Sequence, residues 1–114
     1  MNSLNKRTFL NLDFVQGEEI ELEFEVLDNC EQVYLDEYTL TGSIKEDFNS
    51  TPVTQFVFTE SEEDPVYWIA SIPSAVTTSL IPQVYKYEIR MQHNINGKPD
   101  TLLYGTLTIR PTRI

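Results

Sequence analysis

The chain predicts an all-β fold, an antiparallel β-sandwich of about seven strands with one short helical turn. Two observations carry this reading. Apolar and polar residues alternate with a period of two through most of the 114 residues, as in strands with one buried and one wet face. Short turn-forming segments interrupt the alternation, and no stretch holds a long helical period, which together favour two packed sheets.

Residues 1–7 are polar, offer little core and read as an N-terminal arm, free or ordered by a neighbour; residues 8–114 read as a single domain. Thr8 to Val15 alternates with Leu10, Leu12 and Phe14 on one face and reads as the first strand. Gln16-Gly17 is a break at which glycine permits a positive backbone angle. The stretch from Glu18 to Val26 follows, the clearest strand signal in the chain. It sends Ile20, Leu22, Phe24 and Val26 to one side and Glu19, Glu21, Glu23 and Glu25 to the other. Four like charges in a row repel, so burial of the apolar side or a cationic partner must offset them.

Asp28 and Asn29 mark a reversal, and Tyr38 to Lys45 restores the alternation around Gly42, where a missing side chain leaves room for a large neighbour. Thr54 to Thr59 and Val66 to Ile72 read as a hairpin across an acidic turn. The second of these strands is partly apolar on both faces and so is expected to be covered twice. Pro73 to Pro82 suits one helical turn over Ala75 to Ser79, with Ser74 as N-cap, Leu80 plugging the core and the chain passing from one sheet to the other. Val84 to Gln92 and Thr101 to Arg110 form the last hairpin, with Asn96-Gly97 as its turn signal. The order is compatible with an immunoglobulin-like topology. Tyr85 lies near the start of the penultimate strand, two residues before a core position held by Tyr87, where such folds place a tyrosine corner.

Composition bounds the function. Apolar residues at 40% and aromatics at 11% exclude an acidic disordered tail. The net charge of -10 argues against sequence-independent nucleic-acid binding, and the absence of a long apolar run argues against a membrane span or signal peptide. The expectation is a soluble protein made inside a cell. Residues 1–64 carry sixteen acids against three bases, while residues 65–114 carry two acids against five bases. Either this asymmetry cancels across paired strands, or the domain is dipolar and its acidic side meets the basic side of a copy or neighbour.

No constellation for chemistry emerges, so the expectation is a non-enzyme with no catalytic residues, no cofactor and no metal. The strand glutamates lack the apolar pocket that would raise a catalytic carboxyl, and the only histidine, His93, sits beside a turn. The single cysteine, Cys30, has acidic neighbours that oppose thiolate formation. Asp28, Asn29, Glu31 and Asp36 are hard oxygen ligands in one loop, but their spacing matches no EF-hand.

The segments Phe14 to Val26, Leu35 to Lys45, Ser71 to Pro82, Val84 to Arg90 and Leu103 to Pro111, in this order and spacing, resemble a family of small phage virion modules. The family is similar to the N-terminal immunoglobulin-like domain of phage baseplate upper proteins. The resemblance implies a virion part in a tail, baseplate, neck or capsid-surface assembly, put together in the host cytoplasm and docked to other virion proteins or to copies of itself. Longer members continue into a stalk or receptor-binding region, whereas this chain stops after its last strand, which favours an adaptor or decoration role. The candidate interface is Glu19, Glu21, Glu23 and Glu25, with the N-terminal arm. The rival expectation is a carbohydrate- or host-receptor-binding module using Tyr34, Tyr67, Trp68 and Tyr104.

Overall fold

The computed structural model describes residues 2–4, 8–28, 31–32, 38–47, 49–60, 67–95, 97 and 99–112. Their strands are β1 (Asn2–Leu4), β2 (Thr8–Phe9), β3 (Leu12–Val15), β4 (Ile20–Asp28), β5 (Glu31–Gln32), β6 (Tyr38–Lys45), β7 (Thr54–Gln55), β8 (Val57–Glu60), β9 (Trp68–Ile72), β10 (Val84–His93) and β11 (Asp100–Arg110). The helical turn α1 (Ser74–Ser79) lies between β9 and β10. One sheet runs β1-β4-β9-β8 with β5 on the end of β4, and the other runs β2-β11-β10-β6-β7 with β3 also on β11. Within them β4-β9-β8 and β11-β10-β6 reproduce the B-E-D and G-F-C strand order of immunoglobulin-type sandwiches.

The two inner faces meet in one core. Ile20, Leu22, Phe24 and Val26 of β4 with Ala70 and Ile72 of β9 bury against Ile44, Tyr85, Tyr87, Ile89, Met91, Leu103, Leu107 and Ile109 of the opposite sheet. Leu80, just past α1, is buried in the same core and closes one end of it. The sandwich, the alternation of β4 and the role of Leu80 are thus as the sequence predicts.

The described residues form eleven strands in place of about seven because two predicted strands are split and two short ones, β1 and β5, are added. Thr54 to Thr59 keeps its alternation but changes sheets midway: β7 pairs with β6, β8 pairs with β9, and buried Phe56 lies between them. The Phe56 N–H donates to the Gly42 carbonyl at 2.9 Å, so the crossing leaves no orphan donor there. Thr8 to Val15 is interrupted at Leu10–Asn11, and both halves, β2 and β3, run parallel to β11 in one register. β1 is also parallel, on β4, so within the region read as an arm Asn2–Leu4 forms a strand, and the sheets are not purely antiparallel. Parallel pairing needs no tight turn here, because much of the chain lies between the paired segments.

At the interruption Leu10 stands opposite Gly105. The Leu10 N–H donates to the Tyr104 carbonyl at 2.9 Å, and the Asn11 side-chain oxygen accepts the Thr106 N–H at 3.2 Å in place of a main-chain partner. The Leu10 carbonyl is thereby turned inward, where it accepts the Tyr87 hydroxyl at 2.6 Å. Burial pushes the Tyr87 phenol well above a tyrosine's ordinary range.

Further departures have equally local causes. Strict alternation along Thr101 to Arg110, with Leu103, Leu107 and Ile109 facing the core, would turn Leu102 outward, yet it is fully buried beside Leu103, because the β10–β11 register shifts between Ile89 and Arg90 and gives β11 an extra residue. At the predicted Asn96-Gly97 turn the Gly97 N–H donates to the His93 carbonyl at 3.3 Å, and Asn96 lies outside the described residues. The residue capping α1 is Pro73, with no side-chain cap, so Ser74 is the first helical residue and not its N-cap. β9 carries no layer on its outer side among the described residues, so Ile69 is half-buried at the surface and the strand is not doubly covered.

Two glycine expectations hold. Gly17 has φ +93° in the turn before β4. At Gly42 an added Cβ would lie 3.0 Å from both Phe56 and Phe58 and 3.1 Å from Ile89. Gly42→Ala is therefore expected to cost about 1 kcal/mol in urea unfolding, overpacking outweighing the entropy that alanine removes from the unfolded chain. An unchanged midpoint would show that the two rings yield freely.

The tyrosine corner is also formed. Tyr85 is buried, and its hydroxyl donates to the Ile81 carbonyl at 2.6 Å, tying the start of β10 to the segment that follows α1.

Candidate functional site

The start of β4 is held on both sides. In the turn from Val15 to Glu18 the Glu18 N–H donates to the Val15 carbonyl at 3.0 Å, and the Glu18 carboxylate accepts the Val15 N–H at 2.6 Å. Buried Thr77 of α1 donates its hydroxyl to the Glu18 carbonyl at 2.6 Å, and the Gln16 amide donates to the Thr78 and Leu80 carbonyls at 3.1 and 2.9 Å. The glutamate run therefore begins on a fixed frame, and Glu18 serves the turn.

From there the four candidate glutamates project from the outer face of the first sheet. Glu19 and Glu21 are exposed, while Glu23 and Glu25 are half-buried. The cross-strand rows are Glu21, Ser71, Val57 and Glu23, Ile69, Thr59. Among the described residues no lysine or arginine occurs on the strands of this sheet, and the glutamates stand beside a small apolar surface of Ile69 and exposed Val57. This combination of flanking charge and central apolar residues suits a docking face. It lacks the enclosed apolar pocket needed for acid catalysis.

The described cations all lie on the other sheet. Lys45 ends β6, Lys86 and Arg90 lie on β10, and Arg110 ends β11. Arg110 grips Asp13 of β3 with a two-pronged pair, Nε to Oδ1 at 2.7 Å and Nη2 to Oδ2 at 2.7 Å. This hydrogen bonding holds the Asp13 carboxyl below the usual carboxylate range. Arg90 pairs with Glu88 on its own strand. Lys86 stands directly across from Lys45, a cross-strand arrangement of like charges that is unfavourable on its own. Beside them a groove of about 520 Å³ opens along β6, β7 and β10, lined by these lysines, Arg90, Glu88, Thr41, Ser43 and Gln55.

The two halves of the sequence interleave between the sheets, β3 and β6 of the acidic half joining β10 and β11, while the four strand glutamates and the described lysines lie on different sheets. The glutamates are brought together as predicted. The lysine groove goes unnoticed in the sequence, because Lys45 and Lys86 meet only through the β6–β10 register.

Of the aromatic residues of the rival reading, the described ones, Tyr67, Trp68 and Tyr104, do not form one cluster. Trp68 shares the inner face of β9 with Ala70 and Ile72 and packs against the core. Tyr67 lies just before the first residue of that strand, and Tyr104 is on the other sheet, where it meets exposed Phe9 edge-on at 5.3 Å. His93 packs edge-on against Tyr38 at 5.1 Å, and its Nδ1 accepts the Ile95 N–H at 3.3 Å. Tyr34, Asn29, Cys30 and Asp36 lie outside the described residues. No group of three or more metal-binding side chains and no membrane-length apolar helix occurs among the described residues.

No protein-family profile and no curated protein sequence matches the chain. Among solved structures, the chain is similar to the N-terminal domain of phage TP901-1 ORF48. The TM-score is 0.54 at 4% identity, covering 96% of this chain and 99% of that one. Weaker likenesses are to a 2,6-sialyltransferase of Photobacterium sp. JT-ISH-224 (TM-score 0.44, 12% identity, 91% of this chain and 18% of that one) and to Listeria monocytogenes InlP (TM-score 0.42, 14% identity, 97% and 27%). At these identities the likeness is one of fold. The first spans both chains nearly end to end and agrees with the phage module that the sequence resembles.

Proposed function

We propose that the chain is a non-enzymatic structural module of a phage particle, an adaptor or decoration subunit of the tail, baseplate, neck or capsid surface. The observation that carries this reading is the end-to-end likeness in fold to the N-terminal domain of a phage protein. The module works by docking to other virion proteins or to copies of itself, with the outer face bearing Glu19, Glu21, Glu23 and Glu25 as one contact surface. Three features of that face support the role. It is anchored by a rigid turn, carries no cation on its strands among the described residues, and sets its carboxylates beside apolar Ile69 and Val57.

Mass spectrometry of purified particles of the phage that encodes the chain tests the proposal. Its peptides are expected in intact virions at levels comparable to other structural proteins. A protein abundant in the infected cell and missing from the particles would overturn the reading.

A further inference from the structure

We propose that the open end of the β6 edge pairs with the same segment of a second copy of this chain, Tyr38–Leu40 running antiparallel to Tyr38–Leu40 in a two-fold dimer. The contact uses neither the glutamate face nor the groove lysines, so it stands apart from the docking reading above.

The first observation is a strand position that the fold leaves vacant. β7 lies beside β6 only at Ser43 and Ile44. At Phe56 the chain then departs for the other sheet, where β8 pairs with β9. The last main-chain bond on that side of β6 among the described residues runs from the Phe56 N–H to the Gly42 carbonyl at 2.9 Å. Beyond it, Tyr38 to Thr41 keep β10 as their described strand neighbour on one side, and none is described on the other.

The direction of the unpaired groups follows from the alternation of a strand. The Ile44 and Gly42 carbonyls point toward β7, accepting Val53 and Phe56 at 2.8 and 2.9 Å. With a period of two, the N–H and C=O groups of Leu40 and Tyr38 point the same way, into the vacant position, while those of Thr39 and Thr41 serve the ladder with β10. Such a row is a template for a further strand.

The second observation is that this edge lacks the devices that protect the others. From Tyr38 to Ile44 the chain carries no charge and no proline. By contrast, β8 ends on Glu60, β3 carries Asp13, and the Glu18 carboxylate takes up the Val15 N–H at 2.6 Å. β7 is only two residues long.

The third observation selects the partner and the register. A strand paired antiparallel with its own copy is self-complementary, and a neutral segment lets two chains of net charge -10 meet without opposed charges. A two-fold axis beside Thr39 lets Leu40 of each copy exchange N–H···O bonds with Tyr38 of the other. An axis at Leu40 would require Gly42 to pair outward, and Phe56 already stands opposite it. With the axis at Thr39 the two Thr39 side chains, exposed on the outer face, face each other directly, an arrangement in which threonines pair well. On the inner side half-buried Tyr38 meets Leu40 of the second copy, and both already pack on the core. The contact is small and its affinity modest, and the two-fold closes it as a dimer.

Sedimentation velocity on the full chain tests the proposal with Thr39→Lys and Thr39→Glu. The wild type is expected to form dimers as concentration rises. Raising salt from about 0.01 to about 0.1 M shortens the screening length from ~30 to ~10 Å, which damps the repulsion between copies and should strengthen the dimer. Each variant alone opposes like charges at the axis and is expected to dimerise at least about tenfold more weakly, whereas an equimolar mixture opposes unlike charges and recovers. Recovery on mixing excludes misfolding as the cause of loss. Amide hydrogen exchange of the wild type gives a second readout that needs no variant: the Leu40 amide should slow with rising concentration, and the Thr41 amide, bonded to β10, should not change. A wild type monomeric up to about 1 mM, variants that dimerise as the wild type does, a mixture without recovery, or a Leu40 amide indifferent to concentration would each overturn the proposal. A protein found in virions yet monomeric in solution would sink this contact and leave the particle role standing.

Discussion

Gly105→Ala is expected to be among the most destabilising single substitutions in the chain, costing roughly 3–5 kcal/mol and lowering the melting temperature by roughly 15 °C or more. Gly105 has φ +156° and lies opposite Leu10, and a Cβ there would sit 2.2 Å from the Leu10 carbonyl oxygen and 2.9 Å from its carbon. Those atoms belong to a backbone that is tied down. The Leu10 N–H bonds to Tyr104, its carbonyl accepts Tyr87, and neighbouring Asn11 accepts both the N–H and the hydroxyl of Thr106. To admit a methyl group the first strand must lift from β11, breaking this set together. Small domains have only about 5–15 kcal/mol in total, so most of the stability is at stake. A variant within about 1 kcal/mol of the wild type in urea unfolding would show that Leu10 does not pack on Gly105.

Tyr87→Phe tests the same junction from inside. The buried hydroxyl is the donor to the inward-turned Leu10 carbonyl at 2.6 Å, and phenylalanine would leave that carbonyl without its partner. A loss of about 1–3 kcal/mol is expected, the cost of a buried acceptor left unmade, with little change in core volume. The variant has a second signature. The Tyr87 phenol is raised by burial above the ordinary 10.0, so the folded state keeps a proton that the unfolded chain releases. Its contribution is fully present below pH 10 and is lost as the pH rises above it. Stability of the wild type should therefore fall steeply in alkali and that of Tyr87→Phe less steeply. Tyr85, raised in the same direction chiefly by burial, keeps the variant's slope from vanishing. Identical alkaline slopes would contradict burial of the Tyr87 hydroxyl.

What could be read from the sequence depended on whether a feature is local. The buried row Ile20, Leu22, Phe24 and Val26 and the glutamate row opposite follow from alternation alone, because a strand's side chains leave it no other arrangement. Gly17, Gly42 and Tyr85 were legible because each is a special residue in a recognisable place. The breaks at Leu10–Asn11 and Phe56 were not, since exchanging hydrogen-bond partners leaves the alternation of side chains intact. The burial of Leu102 was not legible either, because a bulge adds one residue without any change in composition. The lysine groove required knowing which residue of β10 faces which of β6. Lys45 and Lys86 lie far apart in sequence, and a slip of one residue would have moved one of them to the other face.

The central claim is that the carboxylate face of β4 is a docking surface, and its most direct test is the number of copies per particle of Glu21→Lys/Glu23→Lys relative to the wild type. Both glutamates project outward from a strand whose buried face is untouched, so the variant should fold and accumulate as the wild type does. Measured by quantitative mass spectrometry at matched soluble levels, incorporation is expected to fall by about tenfold or more, as close charge pairs turned repulsive cost upward of 1.4 kcal/mol. Equal incorporation of the folded variant would contradict the claim and return the glutamates to the role of a solvated face.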